Sequence, residues 1–377
     1  MVKMADYIER SVTRLDEVAA RGLELVEPLV ERFVLSGCDA LRIVASGSSK
    51  NAADIARPLL QRSLGREVQV VTPEAFIDFE HAQPTNTFNV AVSQSGYSTN
   101  TIAALDFMAE HDLPCAALTQ RLGGAHLRAR SVRVRLARCG VESVDFVTMG
   151  VHVLVCYLML FGIEAGERMG ALDAAEADRL RGCLCAAGGA CASGISAARA
   201  LFENQKLVLS TQAPAIFVGN GALRGVAQEA ALKFSETTKV PAMWFEGEEF
   251  IHGPEMQIKP GYLVVIIDDA GGSERLAGIA RGIRAVTDTC YLLTSHPEGA
   301  AHEVAIEAAA PEVYPFAALA FIQYLAAQIA EALKSWDVHP YLDAVDDAFA
   351  SKAPGYDESV HELERRAATV YGDSAGA

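Results

Sequence analysis

Ser46-Gly47-Ser48-Ser49-Lys50-Asn51 follows the apolar run Leu41 to Ala45 and opens the helical pattern AADIARPLLQRSL. A strand that ends in a small-residue turn and feeds a helix leaves backbone N–H groups unpaired at the helix start, with the positive end of the helix dipole behind them. Short hydroxyl side chains there add donors, so Ser48 and Ser49 suit a phosphate. A second turn of this kind, Ser93-Gln94-Ser95-Gly96-Tyr97-Ser98-Thr99-Asn100-Thr101, ends the run FNVAVS. In an open parallel sheet, ligands sit beyond the carboxyl ends of the strands, where two such turns can converge on one anion. Taken singly, each turn is equally a helix cap whose serine only satisfies backbone. Neither has the GxxxxGK[ST] of a P-loop or the GxGxxG of a dinucleotide fold.

A different chemistry is encoded further on. Glu229, Lys233 and Glu236 are spaced i, i+4, i+7 in the helical stretch Leu223 to Thr237, which puts them on one narrow face. The bland reading is a solvated edge with an ordinary ion pair. Next comes Trp244-Phe245-Glu246-Gly247-Glu248-Glu249-Phe250-Ile251-His252-Gly253-Pro254-Glu255. A histidine in a Gly-Pro-bounded loop is either a structural hydrogen-bonder or a proton carrier near neutral pH.

The elements that must position these groups alternate strand with helix: Leu41–Ala45, then EVQVV (67–71), FNVAVS (88–93), a helix from Thr99 to His111 and PCAALT (114–119). That alternation specifies a parallel sheet flanked by helices. The second half repeats the first at a constant offset of 174, with Ile43-Val44-Ala45-Ser46-Gly47 falling on Phe217-Val218-Gly219-Asn220-Gly221 and Val90-Ala91-Val92 on Val264-Val265-Ile266. The fold class expected is therefore α/β, with two flavodoxin-like domains, each a parallel sheet flanked by helices. The boundaries expected are an N-terminal amphipathic helix (1–35), a first domain (36–145), a helical connector (146–205), a second domain (206–335) and a polar C-terminal tail (336–377). The turns of the second copy, Gly219-Asn220-Gly221-Ala222 and Asp268-Asp269-Ala270-Gly271, lack the hydroxyl clusters, so phosphate belongs to the first copy.

Composition narrows the partners. A chain of 377 residues is long enough for two domains, and its net charge of −16, without a basic block, argues against nucleic acid and against an anionic membrane surface. The run Val151 to Ile163 is shorter than the ~20 residues that cross a bilayer and is expected as a buried helix. The N-terminus lacks the apolar run of a signal peptide, and the protein is expected to be cytoplasmic. Cys38, Cys115, Cys139, Cys156, Cys183, Cys185, Cys191 and Cys290 read as free thiols of a reducing compartment, with no CxxC pair or metal-ligand spacing.

On SGSSKN (46–51), SQSG (93–96) with Ser98 and Thr101, EAALKFSE (229–236) and HGPE (252–255), the sequence resembles the sugar isomerase (SIS) family over roughly residues 35–345. The likeness is to its double-domain members: the isomerase half of glucosamine-6-phosphate synthase, aminosugar-phosphate deaminases and fructosamine-6-phosphate deglycases. The resemblance implies that Ser48, Ser49, Ser93, Gln94, Ser95 and Ser98 bind a phosphosugar. It implies that Glu236 moves protons at C1 and C2, that His252 assists ring opening, and that Glu229 and Lys233 accompany them in the pocket. The histidine loop of such proteins enters the neighbouring subunit's site, which implies a homodimer or larger homo-oligomer. Proton transfer of this kind by carboxylate and imidazole requires no metal or organic cofactor.

Three departures shape the expected function. The glutaminase cysteine of the synthase has no counterpart, since Val2 follows Met1 and the first cysteine is Cys38, so the chain is not expected to draw ammonia from glutamine. The C-terminal lysine of the synthase branch is matched only by Lys352, several residues out of place. Where the family often has Ser-Thr-Lys, the loop after Glu142 reads Val147-Thr148-Met149. A Glu/His pair without that lysine looks most like a deglycase releasing glucose 6-phosphate and an amine from a fructosamine 6-phosphate, or a deaminase of an aminosugar phosphate. The alternatives are an ammonia-fed, synthase-like isomerase subunit and a non-catalytic phosphosugar sensor.

Overall fold

A computed structural model describes residues 3–82, 86–120, 133–135, 141–143, 146–268, 271–337, 339 and 342–371. The chain divides into two compact units, one comprising Met1–Lys3, Glu17–Arg181 and Val338–Ala377, the other Met4–Asp16 and Gly182–Asp337. Each holds a five-stranded parallel sheet between helices, the architecture the strand and helix alternation specifies.

In the first unit the elements are α2 (Gly22–Ser36), β1 (Ala40–Val44), α3 (Gly47–Leu64), β2 (Glu67–Val71), α4 (Pro73–Asp78), β3 (Thr87–Val92), α5 (Thr99–Glu110), β4 (Cys115–Thr119), β5 (Arg133–Arg135), α6 (Met149–Arg168) and most of α7 (Ala174–Leu184). The sheet order is β2-β1-β3-β4-β5. In the second unit follow α8 (Ala187–Leu209), β6 (Ala215–Gly219), α9 (Ala222–Thr238), β7 (Ala242–Phe245), α10 (Gly247–Phe250), β8 (Leu263–Ile267), α11 (Glu274–Ile283), β9 (Cys290–Thr294), β10 (Glu303–Ala305) and α12 (Tyr314–Leu333). Their order, read from the β7 edge, is β7-β6-β8-β9-β10, the same path through the sheet.

The central strands β1, β3, β6, β8 and β9 are buried along their whole length, as parallel strands covered on both faces must be. In the first unit α4 and α5 cover one face, packing Phe76, Ala104, Leu105 and Met108 on Val44, Ala91 and Ala117. On the other, Phe33 of α2 meets Phe88 of β3 and Phe161 of α6 edge to face, each at 5.7 Å. The second unit repeats this: α11 lays Leu276, Ile279, Ala280 and Ile283 on Ile216, Val218, Val264 and Ile266, and Phe234 of α9 packs on Phe217 at 4.8 Å.

Several expectations are corrected. Residues 5–35 form two helices, α1 (Met4–Ala20) and α2, because Arg21 leaves the helical region at φ −107°, ψ 10°. The C-terminal stretch expected as a polar tail contains α13 (Asp343–Phe349) and α14 (Tyr356–Tyr371) and belongs to the first unit. The apolar run 151–163 sits inside the longer α6, which by length and composition could cross a membrane, as could α12; α6 is nevertheless buried on all sides. Among the cysteines, burial pushes the Cys191 and Cys290 thiols up to about 12, which keeps them neutral packing groups. Cys139 lies outside the described residues.

Both units bring a helix pair into backbone contact through a glycine. A Cβ on Gly166 of α6 would lie 2.1 Å from the Ser63 carbonyl oxygen of α3, and one on Gly194 of α8 would lie 2.0 Å from the Ala317 carbonyl oxygen of α12. Gly166→Ala and Gly194→Ala should each cost about 1–3 kcal/mol through overpacking. Urea unfolding should show it as a lower midpoint at unchanged slope; unaltered midpoints would mean the helices are not so close.

Candidate functional site

In the first unit the two hydroxyl-rich turns leave the carboxyl ends of β1 and β3, which are hydrogen-bonded neighbours. From there the chain goes to opposite faces, into α3 and α5, so the turns flank the point where the strand order reverses. The first turn depends on Gly47, whose φ of +56° a side chain would strain. Ser46 precedes α3 in extended conformation and makes no side-chain cap. Ser48 and Ser49 are half-buried in the first helical turn, and Lys50 is tied to the buried Asp54 at 2.6 Å.

The second turn is stapled by its own serines. Ser93 Oγ accepts from the Gly96 N–H at 3.1 Å and donates to Ser98 Oγ at 3.2 Å, while Ser95 Oγ accepts from the Tyr97 N–H at 3.2 Å. A hydroxyl that accepts still has its proton to donate, so this stapling leaves Ser95 and Ser98 able to meet an anion. Gln94 donates through Nε2 to Gln120 Oε1 at 3.1 Å. The two turns are joined by Asn100, whose Nδ2 donates to Ser46 Oγ at 3.1 Å.

Sequence reasoning missed what four residues do. Asn100 and Ser46 were quoted as turn residues, and only the fold reveals that they meet. Glu142 is buried and gathers the start of α6: its Oε1 accepts from the Thr148 and Met149 N–H groups at 2.7 and 3.0 Å and from the Thr148 hydroxyl, and its Oε2 accepts from the Gly150 N–H at 3.1 Å. Lys352, judged out of place in sequence, lies in an antiparallel bridge with Ser98. The tail is sewn to the turn by Ala353 N–H to Tyr97 O at 2.8 Å and Thr99 N–H to Ser351 O at 3.2 Å. Lys352 Nζ rests 5.2 Å from the Tyr356 ring centre, and that ring meets Tyr97.

In the second unit the Glu229, Lys233, Glu236 face of α9 is not a solvated edge. Glu229 and Lys233 are buried, with Lys233 Nζ 3.4 Å from Glu229 Oε1 and 2.6 Å from Glu236 Oε2. Burial works against the ammonium, but the two carboxylates outweigh it and raise the Lys233 pKa above the ordinary lysine value. The Glu236 side chain keeps 30% of its surface exposed against 0% for Glu229, so Glu236 is the carboxylate of this face that solvent reaches.

His252 is exposed and has no hydrogen bond or ion pair with Glu236 among the described residues. Its loop is nonetheless built: Glu246 caps α10 by accepting from the Glu248 and Glu249 N–H groups, Asn220 Oδ1 accepts from the Gly247 N–H at 2.9 Å, and Gly253 takes φ +134°, open to glycine. Asn220 thus serves this loop where its counterpart Ser46 accepts from Asn100. Of the other turn, Asp268 is buried and accepts from Thr294 Oγ1 at 3.2 Å, and Asp269 and Ala270 lie outside the described residues.

Comparison with known proteins adds the following. Residues 209–330, within the second unit, match the SIS domain. A glutamine–fructose-6-phosphate aminotransferase (isomerizing) of Caulobacter vibrioides is 28% identical over 307 residues, covering 80% of this chain and 50% of that protein. The one from Halobacterium salinarum is 28% identical over 245 residues, 65% of this chain and 40% of that protein, so the chain spans half the length or less of these relatives. Among solved structures, a candidate phosphosugar isomerase from Clostridium difficile 630 superposes with TM-score 0.81 at 20% identity, covering 91% of this chain and 98% of that one. The C-terminal domain of glucosamine-fructose-6-phosphate aminotransferase from Francisella tularensis gives 0.73 at 16%, with coverages of 88% and 97%. At these identities the structural likeness is one of fold. Residues 209–330 of the second unit thus match the SIS domain, and the first unit repeats the same strand path.

Proposed function

We propose that this protein is a SIS enzyme acting on an amino-substituted hexose 6-phosphate, as a deglycase of fructosamine 6-phosphates or a deaminase of an aminosugar phosphate. The observation that carries the reading is the clasp of two hydroxyl-rich turns across the β1/β3 switch point, closed by the 3.1 Å bond from Asn100 to Ser46. Such a clasp concentrates donors for a phosphate without needing a favourable net charge. The names of the relatives, which act on fructose 6-phosphate by their titles, agree with that anion.

Ser48, Ser49, Ser93, Gln94, Ser95 and Ser98 hold the phosphate. Glu236, hydrogen-bonded to Lys233 Nζ at 2.6 Å, takes a proton from C1 of the opened fructosamine and returns it to C2. This moves the double bond so that C1 is joined to the amine as an imine; water adds at C1 and the amine leaves, giving glucose 6-phosphate. His252 is the acid at the ring oxygen, presented to a second copy of the chain, which fits its exposure.

A second reading draws on Lys352. Its backbone bridges Ser98 of the second turn, and its Nζ rests on the Tyr356 ring 5.2 Å away. A lysine in this segment agrees with an ammonia-fed isomerase of the synthase type.

Three outcomes are expected. Glu236→Gln should lower turnover by about 10²–10⁴-fold while binding of glucose 6-phosphate persists, measured by product assay on a panel of 6-phosphorylated fructosamines and glucosamine 6-phosphate; undiminished turnover would remove Glu236 from the proton path. Lys352→Met should leave deglycase turnover within a few-fold of wild type, whereas collapse of turnover together with ammonia-dependent product from fructose 6-phosphate would select the second reading. For Lys233, a raised folded pKa means its stabilisation is complete below the unfolded value of about 10.4 and is lost as pH rises through the folded value. Denaturant unfolding between pH 8 and 11.5 should therefore show a late alkaline decline, and Lys233→Met should cost about 3–5 kcal/mol at pH 8 by stranding Glu229.

A further inference from the structure

Gly150, the second residue of α6, is a glycine for reasons of space rather than of backbone. Its φ is not positive, yet a Cβ there would fall 2.2 Å from Gln94 Nε2 and 2.7 Å from both Cδ and Oε1 of the same amide. The Gln94 amide thus lies flat across the bare Cα of Gly150. No rotation of a side chain at 150 could relieve the clash, since it involves Cβ itself.

The remaining freedom of Gln94 is removed from the other side. Its Nε2 donates to Gln120 Oε1 at 3.1 Å, and its backbone carbonyl accepts from the Gln120 N–H at 3.2 Å. Gly150 is itself held in place, since its N–H donates to Glu142 Oε2 at 3.1 Å. A buried carboxylate therefore fixes the start of α6, the start of α6 fixes a bare Cα, and the bare Cα with Gln120 fixes one amide of the second anion turn.

We infer that Gly150 and Gln120 are positioning residues for Gln94, setting the direction in which its amide is offered to the phosphosugar. This rests on the proposal that the 93–98 turn holds the phosphate, and it goes beyond that proposal in naming what orients one of its donors. A side chain at 150 would lift the amide from its bed, and loss of the Gln120 acceptor would let it turn over, exchanging a donor for an acceptor at the anion.

The test is the affinity of the full-length protein for glucose 6-phosphate by titration calorimetry, with thermal unfolding recorded alongside. Gly150→Ala, Gln120→Met and Gln94→Ala should each weaken binding by about fivefold or more, the size of one neutral hydrogen bond. Acting through Gln94, Gly150→Ala should weaken it no further in a Gln94→Ala background. Should the alanine at 150 compromise folding, Gln120→Met, at a half-buried position, carries the same comparison. Additive losses in the double variant, or wild-type affinity in both Gly150→Ala and Gln120→Met, would overturn the inference. If Ser95→Ala still weakens binding in that case, the phosphosugar reading survives; a wild-type protein that binds no glucose 6-phosphate would sink both.

Discussion

The reversal of strand order beside β1 is the constraint on which the rest depends. Right-handed crossovers send the connection after β1 to one face of the sheet and the connection after β3 to the other, because β2 and β4 lie on opposite sides of that pair. Two turns must therefore part at neighbouring strand ends, leaving helix starts facing a shared gap. Backbone N–H groups collect there whatever the side chains are. The first copy fills the gap's walls with serines and closes it with Asn100 on Ser46; the second copy, with the same path β7-β6-β8-β9-β10, spends Asn220 on the Gly247 N–H instead. One scaffold thus yields a joined pair of serine-rich turns once and a loop anchor once.

The cost of the charged face on α9 explains its composition. A fully buried lysine is unfavourable alone, and a fully buried Glu229 equally so. Together they are tolerable, and the third member, Glu236, adds a second carboxylate at 2.6 Å while remaining partly in solvent. Such an arrangement is poor evidence of stabilisation, since apolar residues of similar volume often serve better. It makes sense as a way of orienting one partly exposed carboxylate, with Lys233 fixed against it.

The alternating strands, the repeat at offset 174 and the positions of both serine turns were legible because apolar period and turn chemistry are local properties. EVQVV (67–71) is β2 without adjustment, and the second-copy strand at Val264 is β8. What could not be read were features made by distant parts of the chain. Nothing local shows that Asn100 meets Ser46, 54 residues away, or that Lys352 bridges Ser98. The i, i+4, i+7 spacing gave the face shared by Glu229, Lys233 and Glu236, but spacing is blind to burial, and burial is what separates this cluster from a solvated ion pair. The break at Arg21 was hidden because the apolar stripe of α1 continues in α2 with no proline or glycine at the joint itself, Gly22 being the first residue of the new helix.

The termini show why the chain has to be treated as a whole. Met4–Asp16 group with the second unit and Val338–Ala377 with the first, so neither unit is a contiguous segment. Within the second unit, Gly188 of α8 leaves no room for a Cβ against Val12 and Asp16, and Arg199 reaches Glu9 at 2.7 Å. Within the first, the tail supplies the hydrogen bonds that hold Tyr97 and Thr99, which lie in the serine-rich turn after β3. The donors of that turn therefore depend on residues added at the far end of the sequence. Any length change between α12 and Lys352 must be absorbed before the bridge to Ser98, within the stretch that holds α13.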